Sequence, residues 1–201
     1  AGLSLLFLSL APSTAIAASS PGAIVALDAD RDGVTDLALG AGTTGDGRIA
    51  VYRGTGSRAA PFVLADEIAL ALDPDLLAAG DLDGDGDTDL AVAASGGEIV
   101  WIVSREDGSW GAPRALPAHG RLVALAVGDV NRPDGVADLV LSLATSEGAI
   151  LRVVEAVDAT RRSEESIQLQ SPARSLSIGD LDGDGGVDLA AGTEDGLVIV
   201  H

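Results

Sequence analysis

The chain has 201 residues, 47% of them apolar and only 2% aromatic, with a formal net charge of −19 and no cysteine. It is long enough to bury a core, which must rest on Ala, Val, Leu and Ile. The twelve basic residues, all Arg, form no patch, which argues against nucleic acid and anionic membranes as partners. The lack of Cys excludes a disulfide scaffold and a thiol catalyst.

The first element in chain order is the apolar run LSLLFLSLA, followed by Pro12 and then Ala15-Ile16-Ala17. A short hydrophobic core ahead of an A-x-A site is the pattern of a secretory signal peptide, assigned here to residues 1–18. The alternative is a buried N-terminal strand or helix. The signal reading predicts a secreted, extracellular or cell-surface protein (the periplasm included), with no membrane insertion once the segment is removed.

Four repeats follow, over residues 22–71, 72–120, 121–173 and 174–201. The first predicts strands at AIVAL, DLALG, GRIAVYRG and PFVLADEIAL. The second predicts them at DLLAAG, DLAVAA, EIVWIVS and APRALPA, and the third at RLVALAVG, DLVLSL, AILRVVEAV and ESIQLQ. The fourth offers RSLSIG, DLAAG and GLVIVH. These are short β-rich runs bounded by Gly, Ser and Asp. Ser95-Gly96-Gly97 and Asp46-Gly47 read as hairpin turns.

Between the first two strands of each repeat lies an acidic loop. The loops begin at Asp28, Asp81, Asp129 and Asp180, separations of 53, 48 and 51 residues, and one motif per fixed period marks a repeat architecture. Positions 1, 3, 5 and 9 are Asp28, Asp30, Asp32 and Asp36 in the first loop. They are Asp81, Asp83, Asp85 and Asp89 in the second, and Asp180, Asp182, Asp184 and Asp188 in the fourth. The third loop is looser, with Asp129, Asn131, Asp134 and Asp138 and an extra residue at Pro133. Position 6 is Gly33, Gly86, Gly135 or Gly185, where a tight turn needs the positive φ that glycine adopts freely.

Sixteen of the 23 Asp residues fall in these loops. Four carboxylates this close repel one another unless a cation joins them. Ca²⁺ takes six to eight oxygen ligands at about 2.3–2.6 Å. Positions 1, 3, 5 and 9 supply carboxylate oxygens, and position 7 (Val34, Asp87, Val136 or Gly186) supplies a backbone carbonyl. Three strict copies at one period are not accidental. The plain alternative is a set of solvated Asp/Gly turns. An EF-hand is excluded, because it needs a Glu at position 12 and these loops place Leu39, Val92 or Ala191 there.

DxDxDGxxDL at the first hairpin of each repeat resembles the FG-GAP/VCBS repeats of integrin-α-like β-propellers, over about residues 22–201. The resemblance implies an all-β propeller of four-stranded antiparallel blades. About 3.75 blades are present, which suggests a fragment of a larger, commonly seven-bladed, propeller. It also implies Ca²⁺ as the cofactor, with three strong sites and a weaker one in the third loop.

No catalytic constellation is apparent. His119 and His201 have no partner near in sequence and read as solvated. Trp101 reads as core, and Trp110 as a turn residue. The sequence thus predicts a secreted calcium-binding scaffold for adhesion to a protein or glycan partner. The rival is the propeller portion of a larger secreted enzyme acting on polysaccharides.

Overall fold

The computed structural model describes residues 21–42, 46–130, 134–155 and 163–201. Residues 1–18, Asn131 and Pro133 therefore lie outside the described residues. The described chain is all strand and loop, and no helix in it is long and apolar enough to cross a membrane.

The first sheet is formed by β1 (Pro21–Leu27), β2 (Asp36–Ala41), β3 (Gly47–Gly54) and β4 (Phe62–Leu70). Then come β5 (Leu76–Gly80), β6 (Asp89–Ala93), β7 (Ile99–Val103), a small hairpin of β8 (Arg105–Glu106) and β9 (Ser109–Trp110), and β10 (Arg114–Pro117). The third sheet contains β11 (Arg121–Gly128), β12 (Asp138–Thr145), β13 (Gly148–Glu155) and β14 (Ser163–Leu169). The last comprises β15 (Ser175–Gly179), β16 (Asp188–Thr193) and β17 (Gly196–Val200).

Each sheet is an antiparallel meander whose strands pair in chain order. The first strands, β1, β5, β11 and β15, pack against one another in series. This is the arrangement of propeller blades, and the four form an open arc.

Each pair of adjacent blades shares a core. Leu27, Ala38, Ile49, Val51, Ile68 and Leu70 of blade one meet Leu90, Val92 and Val103 of blade two. Ala91, Ala93, Val100, Ile102 and Leu116 meet Leu122, Leu139, Leu141 and Leu143 of blade three. Val140, Leu151 and Val153 meet Leu189 and Ala191 of blade four. The period-two alternation of a strand serves two interfaces at once. In β6, Leu90 and Val92 face blade one while Ala91 and Ala93 face blade three, and every residue of the strand is buried.

One expectation needs correction, and one element was unexpected. Trp110 is part of β9 rather than of a simple turn, and the Arg105 guanidinium lies 5.4 Å from its ring centre. The β8–β9 hairpin itself was not foreseen, because two-residue strands leave no periodic signal.

Candidate metal-binding loops

The acidic loops join the first strand of each blade to the second, so register places all four at corresponding ends of the sheets. In the first blade Leu27 pairs with Asp36, and in the second Gly80 pairs with Asp89. Gly128 pairs with Asp138, and Gly179 with Asp188. Position 9 is thus the first residue of a strand, while positions 1 to 8 arch over it.

Backbone N–H groups organise the carboxylates. At position 1, Asp28 accepts from Gly33 N at 3.1 Å, Asp81 from Gly86 N at 2.9 Å, Asp129 from Gly135 N at 2.9 Å and Asp180 from Gly185 N at 3.1 Å. These four glycines have φ between 79° and 88°, the left-handed region that an L side chain rarely adopts. Position 5 accepts from the N–H of position 7: Asp32 from Val34, Asp85 from Asp87, Asp134 from Val136 and Asp184 from Gly186.

The folding brings positions 1, 3 and 5 together in each strict loop. One ligand atom from each of Asp28, Asp30 and Asp32 lies within 4.8 Å of the others, and the same holds for Asp81, Asp83 and Asp85 and for Asp180, Asp182 and Asp184. In the third loop, Asp129, Asp134, Val136 and Asp138 lie among the described residues. Asp28 Oδ1 and Asp129 Oδ1 are buried with no hydrogen-bond partner among the described residues. Orphaned carboxylate oxygens are costly unless something positive meets them.

Position 9 has a further job. Asp36 accepts from Ala29 N at 2.8 Å through one oxygen and from Gly54 N at 2.7 Å through the other. Asp89 does the same with Leu82 N and Arg105 N, both at 2.9 Å. Asp138 accepts from Val130 N at 2.9 Å, and Asp188 from Leu181 N at 2.8 Å. All four carboxylates are buried. Each ties position 2 of its loop to the sheet; Asp36 also holds Gly54 at the end of β3, and Asp89 holds Arg105 at the start of β8. An ionised carboxylate has about four lone-pair sites, so these bonds leave capacity for a cation.

Electrostatics differ among the loops. Burial pushes Asp89 up to about 6, against the pull of the Arg105 and Leu82 N–H groups. Burial also raises Asp83. Asp188 is lowered, first by the Leu181 N–H and then by His201. His201 is exposed, in keeping with its reading as solvated, yet its ring also reaches the loop. Its Nδ1 lies 2.7 Å from Asp188 Oδ1 and 3.7 Å from Asp182 Oδ2, and the three residues form a further group able to hold a metal. Arg53 was also not foreseen, yet its Nε is 2.6 Å from Asp30 Oδ2.

The geometry can be set beside known proteins. A family model described as FG-GAP-like repeat matches residues 28–92 and again residues 81–141, together more than half the chain. A search of curated proteins found no match. Among solved structures, the chain resembles BBS1N as seen in a crystal structure in complex with ARL6DN, soaked with lead. That likeness has a TM-score of 0.62 at 18% identity, covering 94% of this chain and 53% of the other. A mercury-soaked crystal of the same complex gives 0.61 at 17% identity, with the same coverage. The chain thus spans about half the length of the solved chains it resembles, and at this identity the likeness speaks to fold alone.

Proposed function

Because the chain belongs to the FG-GAP-like repeat family, we propose that it is a calcium-binding propeller module acting as a non-catalytic scaffold, secreted and engaged in adhesion to a protein or glycan. The observation that carries the metal half is the convergence of three carboxylates in each strict loop, joined by the orphaned oxygens of Asp28 and Asp129. A hard cation with six to eight oxygen ligands suits such a donor set. Asp28, Asp30 and Asp32 would hold one ion, Asp81, Asp83 and Asp85 a second, and Asp180, Asp182 and Asp184 a third. Position 9 and the carbonyl at position 7 would complete each shell. Asp129, Asp134 and Asp138 form a thinner set for a fourth.

Such ions would supply charge neutralisation and rigidity rather than chemistry. With −19 formal charges on the chain, self-repulsion along the loop-bearing rim is the main force to be offset. A rim stiffened in this way presents neighbouring loops in fixed positions, which lowers the ordering cost of binding a partner. Support for a protein as that partner is the similarity to BBS1N, a protein crystallised in complex with ARL6DN.

Thermal unfolding in millimolar calcium and in EDTA tests the metal half. A ligand bound only by the folded state adds about 2.7 kcal/mol per site at one hundred times its Kd. The expected result is a markedly higher midpoint in calcium, and equal midpoints would overturn the reading.

A further inference from the structure

The first two loops are tied together by a buried chain of contacts that runs through Arg105. In blade one, the Gly54 N–H donates to Asp36 Oδ1. In blade two the same place is taken by Arg105, whose N–H donates to Asp89 Oδ1. Gly54 has no side chain to reach further. The Arg105 side chain crosses to the neighbouring blade, where Nη1 donates to the carbonyl of Ala29, at position 2 of the first loop. The N–H of Ala29 in turn donates to Asp36 Oδ2 at 2.8 Å. Asp36, Ala29, Arg105 and Asp89 are therefore linked in series, position 9 of one loop to position 9 of the next, and all four are buried.

The guanidinium is held from other sides as well. Its Nη2 donates to the Gly108 carbonyl at 2.8 Å, and its centre lies 5.4 Å from that of the Trp110 ring. Carbonyl acceptors and a ring face offset part of the cost of burying a cation, so arrangements that break them are disfavoured. Two further contacts run beside this bridge. Thr88 Oγ1 donates to the Asp28 carbonyl at 3.4 Å, and Arg31 Nη2 reaches the Asp85 carbonyl at 3.4 Å and Asp87 Oδ1 at 2.8 Å. Positions 1, 2 and 4 of the first loop are thus each joined to the second loop or to the residue that holds its position 9.

We propose that Arg105 couples the first two loops, so that filling either one with calcium raises the affinity of the other. The inference rests on the calcium reading above. With the first loop occupied, Ala29 is fixed between Asp28, its chain neighbour, and Asp36, its hydrogen-bond partner. Its carbonyl then fixes the guanidinium, and the Arg105 N–H fixes Asp89 where the second loop needs it. The ordering cost met on filling the second loop is correspondingly lower, which is cooperativity through ordering. Repulsion between two bound cations has the opposite sign, but it acts between exposed loops, where physiological salt screens charge over about 8 Å. Ordering through a buried bridge is not screened, so it sets the sign. By linkage the coupling is reciprocal, the same factor in both directions.

Amide NMR of the full chain, titrated with calcium at physiological salt, reads the loops separately. Gly33, Gly86 and Gly185 each donate N–H to position 1 of their own loop, so each reports calcium arriving there. Asp85→Asn removes a carboxylate from the second loop and should weaken calcium binding at Gly33 several-fold. Asp32→Asn, its counterpart in the first loop, should weaken binding at Gly86 by the same factor. Gly185, in the fourth blade, should respond to neither. Arg105→Met keeps a stem to pack on Trp110 and loses the guanidinium. In that background Asp85→Asn should no longer be felt at Gly33. A merely structural role for Arg105 would weaken both loops and leave their mutual effect intact, and that result would overturn the proposal. So would an unchanged or tighter titration at Gly33 in Asp85→Asn, or an equal loss at Gly185, and neither of these needs an Arg105 variant to fold. All three leave the calcium reading standing. Calcium leaving Gly33, Gly86 and Gly185 unmoved in the wild type would overturn both.

Discussion

Arg31 and Asp87 meet across the boundary between the first two blades, Nη2 to Oδ1 at 2.8 Å. Each is an exception among the strict loops. Position 4 is Gly84 in the second loop and Gly183 in the fourth, at φ 81° and 82°, whereas Arg31 holds φ 58°. Position 7 carries no charge in Val34 and Gly186 but does in Asp87. The same two positions touch at the next boundary, where a Cβ added to Gly84 would lie 3.0 Å from the Val136 side chain. The ion pair therefore occupies an ordinary contact point between neighbouring loops.

That pair allows a substitution with opposed effects. A left-handed conformation costs an L residue roughly 1–2 kcal/mol, while an exposed ion pair contributes about 0–1 kcal/mol. Arg31→Gly removes both and should leave stability in EDTA unchanged or slightly raised. Arg31→Ala loses the pair and keeps the strain, so it should be the less stable of the two. Urea midpoints of the two variants decide it, and Arg31→Ala matching or exceeding Arg31→Gly contradicts the strain argument.

Positions 5 and 9 should respond differently to loss of charge. Asp36 is buried and serves two N–H groups. Asp36→Asn turns an amide N–H₂ toward one of them and should cost about 1–3 kcal/mol, in calcium and in EDTA alike. Asp85→Asn keeps an oxygen for the Asp87 N–H, so it should matter little in EDTA and should erase part of the calcium-dependent stabilisation. Chemical denaturation of both variants under both conditions reads the difference, and an Asp36→Asn loss confined to calcium would refute the tie between loop and sheet.

The pH dependence has two parts of opposite sign. Asp89 has a native value near 6, against roughly 3.9 in an unfolded chain. The native state therefore binds more protons between about pH 4 and 6, and the Asp89 contribution to stability falls as pH rises through that window. Asp188 is lowered instead, so its stabilisation is full above about pH 4 and is lost on acidification through its native value. In EDTA, Asp89→Asn should make the change in urea midpoint between about pH 4 and 6 more positive than in the wild type, by removing a contribution that falls with pH. An unaltered change would show that Asp89 does not titrate there.

Much of this architecture was legible beforehand because apolar alternation and a repeated acidic motif are local signals. The strands at residues 36–40, 47–54 and 121–128 could be read directly, and so could the glycine at position 6. What escaped was set by register. Arg53 and His201 reach their loops only because hairpins of unequal length bring the third strand back beside position 9. The double duty of Asp36 and Asp89, committed to N–H groups through both oxygens, was hidden for the same reason. Gly54 and Arg105 lie far along the chain from the carboxylates they bind.

The N-terminal segment supports a prediction of its own. Given a start codon and a basic n-region, residues 1–18 should direct export, with cleavage after Ala17 or Ala18. N-terminal sequencing of the exported product is the measurement, and an intact run over residues 3–10 on that product would refute the assignment.

The position-9 tie makes the shape of a blade separable from any ion its loop would hold. In the third loop, Val130 N still reaches Asp138 and Gly135 N still reaches Asp129, both at 2.9 Å, although Pro133 lengthens the loop and Asn131 stands at position 3. The number of ions such a chain would carry need therefore not follow the number of its blades. A loop can drift through weaker and stronger affinities, or fall silent, while the sheet beneath it keeps its register. An array built this way could answer a calcium gradient in graded steps instead of by collapse of the whole.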